Sequence, residues 1–148
     1  MKGNILFKWS ILFLIACIMI GCSETTANQE KDKDIVWEVR NEYFIDDELL
    51  FRVFPDPTLT AGEPYGYLIH FTEPFETFEG KKLAIYAVHK ETGKRETAMS
   101  PMTITEPSPG YSSLERFTAT FKLPYKGLWR YEIVLDEQFY GDVILMVN

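Results

Sequence analysis

The chain has 148 residues, of which 46% are hydrophobic, 15% aromatic and 25% charged, and its formal net charge is −7. That length suits one globular domain, and the composition excludes collagen-like and disordered chains. The acidic balance argues against nucleic acid as a partner, which asks for a basic patch or stripe.

The amino terminus differs from the rest. Lys2 and Lys8 precede Trp9–Ile20, an apolar run of 12 residues without a charge. As a helix it would reach about 18 Å, against roughly 30 Å of bilayer hydrocarbon. A basic start, a short apolar stretch and a small residue at the end predict a secretory signal over residues 1–21. Met19-Ile20-Gly21-Cys22 resembles the lipobox of bacterial lipoproteins. In that family the cysteine sulfur takes a diacylglycerol and the peptide bond before it is cut. The resemblance implies lipidation at Cys22 and anchoring to membrane lipid on the extracytoplasmic face. An ordinary secretory peptide and an uncleaved anchor are the alternatives. With Cys17 removed and Cys22 acylated, the mature chain keeps no thiol for a disulfide, a nucleophile or a metal. Residues 22–34 read as the lipidated cysteine and a polar, mixed-charge tether that cannot support a core.

Residues 35–148 carry the predicted domain. Alternation of β-branched and aromatic residues, cut by Pro, Gly, Asp and Asn, predicts strands rather than helices. The predicted strands are Ile35–Arg40, Glu48–Phe54, Tyr65–Phe71, Lys82–His89, Arg95–Met99, Arg116–Leu123, Leu128–Leu135 and Phe139–Val147. In the last three, Phe117, Ala119, Phe121 and Leu123 share one face, as do Trp129, Tyr131, Ile133 and Leu135. Phe139, Gly141, Val143, Leu145 and Val147 line up likewise. Period 2 gives each segment one core face, and Trp129 should lie buried between the sheets. Asp136-Glu137-Gln138 predicts a short polar hairpin link, and Gly93 a turn with positive φ and a G1 bulge. Pro55-Asp56-Pro57 and Glu106–Gly110 read as loops. Seven or eight short strands predict an all-β, antiparallel, immunoglobulin-like β-sandwich, with a small barrel as the alternative.

Ala61–Phe71 (AGEPYGYLIHF), Ala87–Lys94 (AVHKETGK) and Leu123–Val147 (LPYKGLWRYEIVLDEQFYGDVILMV) resemble a family of uncharacterised Gram-positive lipoproteins. That family has a single immunoglobulin-like domain of unknown function behind a lipid anchor. The resemblance implies the same fold and address, and it brings no catalytic residues.

The chemistry-bearing residues are sparse. No serine stands in a GxSxG or SxxK setting, and the only histidines are His70 and His89. There is no HExxH, cysteine pair or EF-hand loop. Asp46-Asp47-Glu48 could attract calcium or form a solvated acidic turn. His70, His89, Met99 and Met102 offer imidazole and thioether, the ligands copper prefers, so a small extracytoplasmic copper or small-ligand carrier is the alternative function. His89 otherwise reads as a strand-end residue with a local hydrogen bond. Glu73-Pro-Phe-Glu76-Thr-Phe-Glu79 interleaves acids with Phe75 and Phe78. These aromatics either face a partner or fold back on the sandwich. With Tyr65, Tyr67 and Phe71 on the adjoining strand, they form the candidate partner-binding set. A cell-surface protein or cell-wall glycan is the expected partner. The expected role is a non-catalytic binding or accessory module with no cofactor.

Overall fold

A computed structural model describes residues 35–107 and 116–148. The predicted signal peptide, Cys22 and the tether lie outside the described residues, as does the 108–110 part of the predicted Glu106–Gly110 loop. The second of two compact units, Trp37–Asn148, carries the domain. Its strands are β1 (Glu42–Ile45), β2 (Glu48–Pro55), β3 (Tyr65–Phe71), β4 (Lys82–His89), β5 (Arg95–Thr103), β6 (Arg116–Phe121), β7 (Gly127–Leu135) and β8 (Gln138–Val147). A single helical turn, α1 (Phe75–Phe78), links β3 to β4.

The strands form two four-stranded antiparallel sheets, ordered β1-β2-β3-β6 and β5-β4-β7-β8. Lettering β2 to β8 as A, B, C, C′, E, F and G gives A-B-E facing C′-C-F-G. This is an immunoglobulin-like order in which the strand after C pairs within the C-F-G sheet rather than with E. β1 is an added hairpin partner of β2.

Alternation puts one face of each sheet inside. Phe51 and Val53 from β2, Tyr67, Ile69 and Phe71 from β3, and Phe117, Ala119 and Phe121 from β6 meet Trp129, Tyr131 and Ile133 from β7. Trp129 is 0% exposed, as its place on the inner face requires. Its indole N–H donates to the Tyr125 carbonyl at 2.9 Å, so burial leaves no donor unsatisfied.

Four sequence expectations need correction. Ile35–Arg40 is not a strand: Arg40 alone makes a bridge, to Ile144 of β8. The first strand is instead β1, because Asp46 and Asp47 both adopt positive φ (49° and 66°) and close a two-residue hairpin onto β2. That conformation matches the twist of the flanking strands, and Asp tolerates it better than most residues. Asp136 and Glu137 repeat the device between β7 and β8, with φ 48° and 66°. β5 runs on through Pro101 to Thr103, which an edge strand permits because its outer N–H groups need no partner. Finally, Ile133 pairs with Gly141 while Val134 pairs with Phe139. The skipped residue, Tyr140, forms a bulge and turns its ring onto Phe51, Phe71 and Phe78, while Phe139 faces out.

The β4–β5 loop has five residues, Lys90–Lys94, with Gly93 at φ 65° as expected. It is closed by Gly93 N–H donating to the His89 carbonyl at 2.9 Å. At the same end, the β2–β3 loop is tied to the chain terminus by Ala61 N–H to Asn148 O (2.8 Å) and Asn148 N–H to Leu59 O (2.9 Å).

Candidate functional site

The aromatic candidates divide by burial. Tyr67, Phe71 and Phe78 are core residues at 3%, 0% and 0% exposure, which removes them from any recognition surface. Tyr67 stacks on Phe121 with centroids 4.0 Å apart, and Phe71 packs on Phe78 at 4.7 Å. Phe75 and Tyr65 are half-buried against the same core. The Glu73–Glu79 segment therefore folds its phenylalanines back on the sandwich. Phe78, the last residue of α1, packs into the core between the sheets while the acids of the segment face solvent.

The copper candidates do not converge. His89 is buried and fully used: its Nε2–H donates to the Lys126 carbonyl at 2.9 Å, which fixes the tautomer because a carbonyl only accepts. Thr92 Oγ1 donates to Nδ1 at 3.0 Å and accepts the Lys94 N–H at 3.3 Å. The imidazole also lies on Trp129, with centroids 4.7 Å apart. Met102 pairs with Leu83 at the other end of β4, six residues or roughly 20 Å along the strand. Met99 packs toward the core of one sheet, whereas His70 points out of the other. No group of three or more His, Cys, Asp or Glu side chains among the described residues could hold a metal ion. Asp46-Asp47 is accounted for as a hairpin turn.

What the fold does expose is the outer face of the β1-β2-β3-β6 sheet. Because Tyr67, Ile69 and Phe71 point inward, Gly66, Leu68 and His70 must point outward. Register then builds cross-strand rows. Arg52 of β2 stands beside His70 of β3 and Arg116 of β6; Phe54 stands beside Leu68 and Thr118; Gly66 stands beside Thr120. Arg52 is ion-paired with Glu42 of β1, and its guanidinium lies 5.8 Å from the Phe54 ring centroid.

Between these rows runs a shallow groove of about 320 Å³, walled by Phe54, Pro55 and Asp56 on one side and Thr118 and Thr120 on the other. Gly66 and Leu68 make its floor. Phe54 leaves 45% of its surface exposed there. Asp56 is fixed at the rim by an Asx turn: its Oδ1 accepts the Thr58 N–H (2.8 Å) and hydroxyl (2.6 Å). These bonds hold its carboxyl below the usual carboxylate range, so the rim is anionic. Sequence reasoning passed over this face, although the outward half of the predicted Tyr65–Phe71 alternation contained it.

The outer face of the second sheet is differently built. Arg95 pairs with Glu132 (3.0 Å), Glu132 with Arg130 (2.7 Å), and Asp142 with Arg40 (2.5 Å), while Arg130 Nε approaches Asp142 at 3.8 Å. Charges of alternating sign thus run across β5, β7 and β8 to Arg40, each ion-paired with a neighbour of opposite sign. This face is a clasp that holds the start of the domain to β8.

No family profile matches the chain, and no curated protein does. Among solved structures, the crystal structure of a candidate lipoprotein from Bacillus anthracis is similar, with a TM-score of 0.55 and 17% identity over 86% of this chain and 96% of that one. At that identity the likeness is one of fold. It places the two-sheet architecture beside a solved example of nearly the same extent.

Proposed function

We propose that the protein is a lipid-anchored extracytoplasmic lipoprotein whose sandwich acts as a non-catalytic recognition module. Cys22 carries the lipid, and the polar residues 23–34 separate it in sequence from the domain. Two things support the address: the basic, apolar and lipobox succession of residues 1–22, and the similarity of fold to a candidate lipoprotein. The observation that carries the recognition role is the mixed polar and apolar groove on the outer face of β2, β3 and β6. It presents an aromatic ring, a carboxylate and hydroxyls on a rigid sheet, without the base-nucleophile pairing that acyl transfer requires.

The anchor is tested by fractionating a Gram-positive host that expresses the full chain. Wild type is expected in the membrane fraction and Cys22→Ala in the culture medium. Continued membrane retention of Cys22→Ala would mean an uncleaved apolar anchor.

A further inference from the structure

Gly66 lies within a strand, yet nothing in the fold requires a glycine there. Its φ is outside the left-handed region, pairing continues through it to Thr120, and a Cβ built on it would meet nothing within 4 Å. Glycine inside a strand weakens it and commonly marks a bulge or the close approach of a ligand or another backbone. No bulge occurs here, and the space above Gly66 is the groove itself.

The chemistry around that space selects its occupant. β3 is the inner neighbour of β2 and β6, so its backbone donors and acceptors are committed to two ladders. A ligand on this face is therefore read by side chains. Phe54 offers a flat ring, Leu68 an apolar step, Thr118 and Thr120 hydroxyls, and Asp56 a carboxylate whose Oδ2 receives no hydrogen bond among the described residues. An anion is repelled by Asp56, and the adjacent Arg52 is committed to Glu42. A purely apolar ligand would offer no donor to Asp56 Oδ2. The groups fit a neutral molecule with one apolar face and many hydroxyl donors. A groove of about 320 Å³ lies at the small end of ligand sites, which run from roughly 300 to 1,000 Å³.

We propose that this groove binds a neutral saccharide, with a sugar ring seated over Gly66 against the Phe54 ring and its hydroxyls donating to Asp56. This assignment rests on the recognition role proposed above and names its ligand class. The test is calorimetric titration of chitotetraose, and separately of cellotetraose, into the full chain in detergent. Saturable binding of at least one is expected, unchanged when salt is raised because no ion pair forms. Phe54→Ala and Gly66→Val should each weaken it by about tenfold or more. Gly66→Val should do so with its melting temperature held or raised, since valine favours a strand and its Cβ meets nothing within 4 Å here.

No saturable binding of either saccharide up to about 10 mM would overturn the proposal, as would binding equal to wild type in both variants. Binding of a lysine-rich peptide that disappears in high salt, without saccharide binding, would reassign the groove to cations. The recognition role itself fails on a different readout, when intact cells yield the same crosslinks from this face as from the opposite sheet.

Discussion

Gly141 shows how a single position is dictated by its neighbours. A Cβ there would stand 2.5 Å from the Tyr43 ring and 2.6 Å from Phe51, a buried residue with little room to move. Gly141→Ala should therefore destabilise the domain by about 1–3 kcal/mol, read by denaturant titration, as overpacking does elsewhere. In sequence this residue was only one of five in an alternating strand. The aromatic pair that excludes a side chain comes from β1 and β2, about 90 residues earlier, so spacing within β8 carried no sign of it. His89 was partly legible: its strand-end place and local bond were expected, whereas the carbonyl of Lys126 and the ring of Trp129 belong to another strand pair.

Tyr67 and Tyr131 are buried with hydroxyls 3.4 Å apart, and burial raises the pKa of both above the ordinary 10.0. The folded state thus keeps protons that the unfolded chain releases. Their contribution is intact below about pH 10 and is lost as pH rises beyond it. Melting temperature should fall steeply between about pH 9 and pH 11, and less so when both tyrosines are changed to phenylalanine. An equal slope in the double variant would mean that other groups govern alkaline unfolding.

Among elements, the hairpins are the most instructive. β3 and β4 coincide with their predicted spans, and β2, β7 and β8 differ by one residue at an end, because one buried face forces period 2 on the sequence. β1 was missed because its signal is a turn, and Asp46-Asp47 lacks the glycine that usually announces one. Both aspartates hold positive φ at some cost, which glycine would not incur. Asp47→Gly should accordingly stabilise the domain by about 0.5–1 kcal/mol in the same titration. The bulge at Tyr140 was hidden for a related reason: alternation read straight through it put Phe139 inside, and only the register with β7 reverses the two.

At the scale of the whole molecule, charge and chemistry separate. Asp46, Asp47, Glu48, Glu73, Glu76, Glu79, Asp136 and Glu137 gather at the end where β1–β2, β3–β4 and β7–β8 connect, accompanied by Lys81 and Lys82. The net charge of residues 35–148 is −7, and these ten residues, eight acids and two lysines, contribute −6 of it. Much of the charge excess thus forms a polar cap that favours solubility, and it leaves the groove face to be defined by Phe54, Asp56 and the threonines. The sandwich itself was legible from strand count and turns. The candidate site was not, because it is assembled from the outward residues of three strands whose adjacency the fold decides. The outer face of that sheet as the working surface is the central claim. Photo-crosslinking on intact cells tests it most directly, with a benzophenone side chain placed at position 68 in the groove or at exposed position 97 on the opposite sheet. Discrete crosslinked species from position 68 and none from position 97 are predicted; the same pattern from both positions, or from neither, would contradict the account.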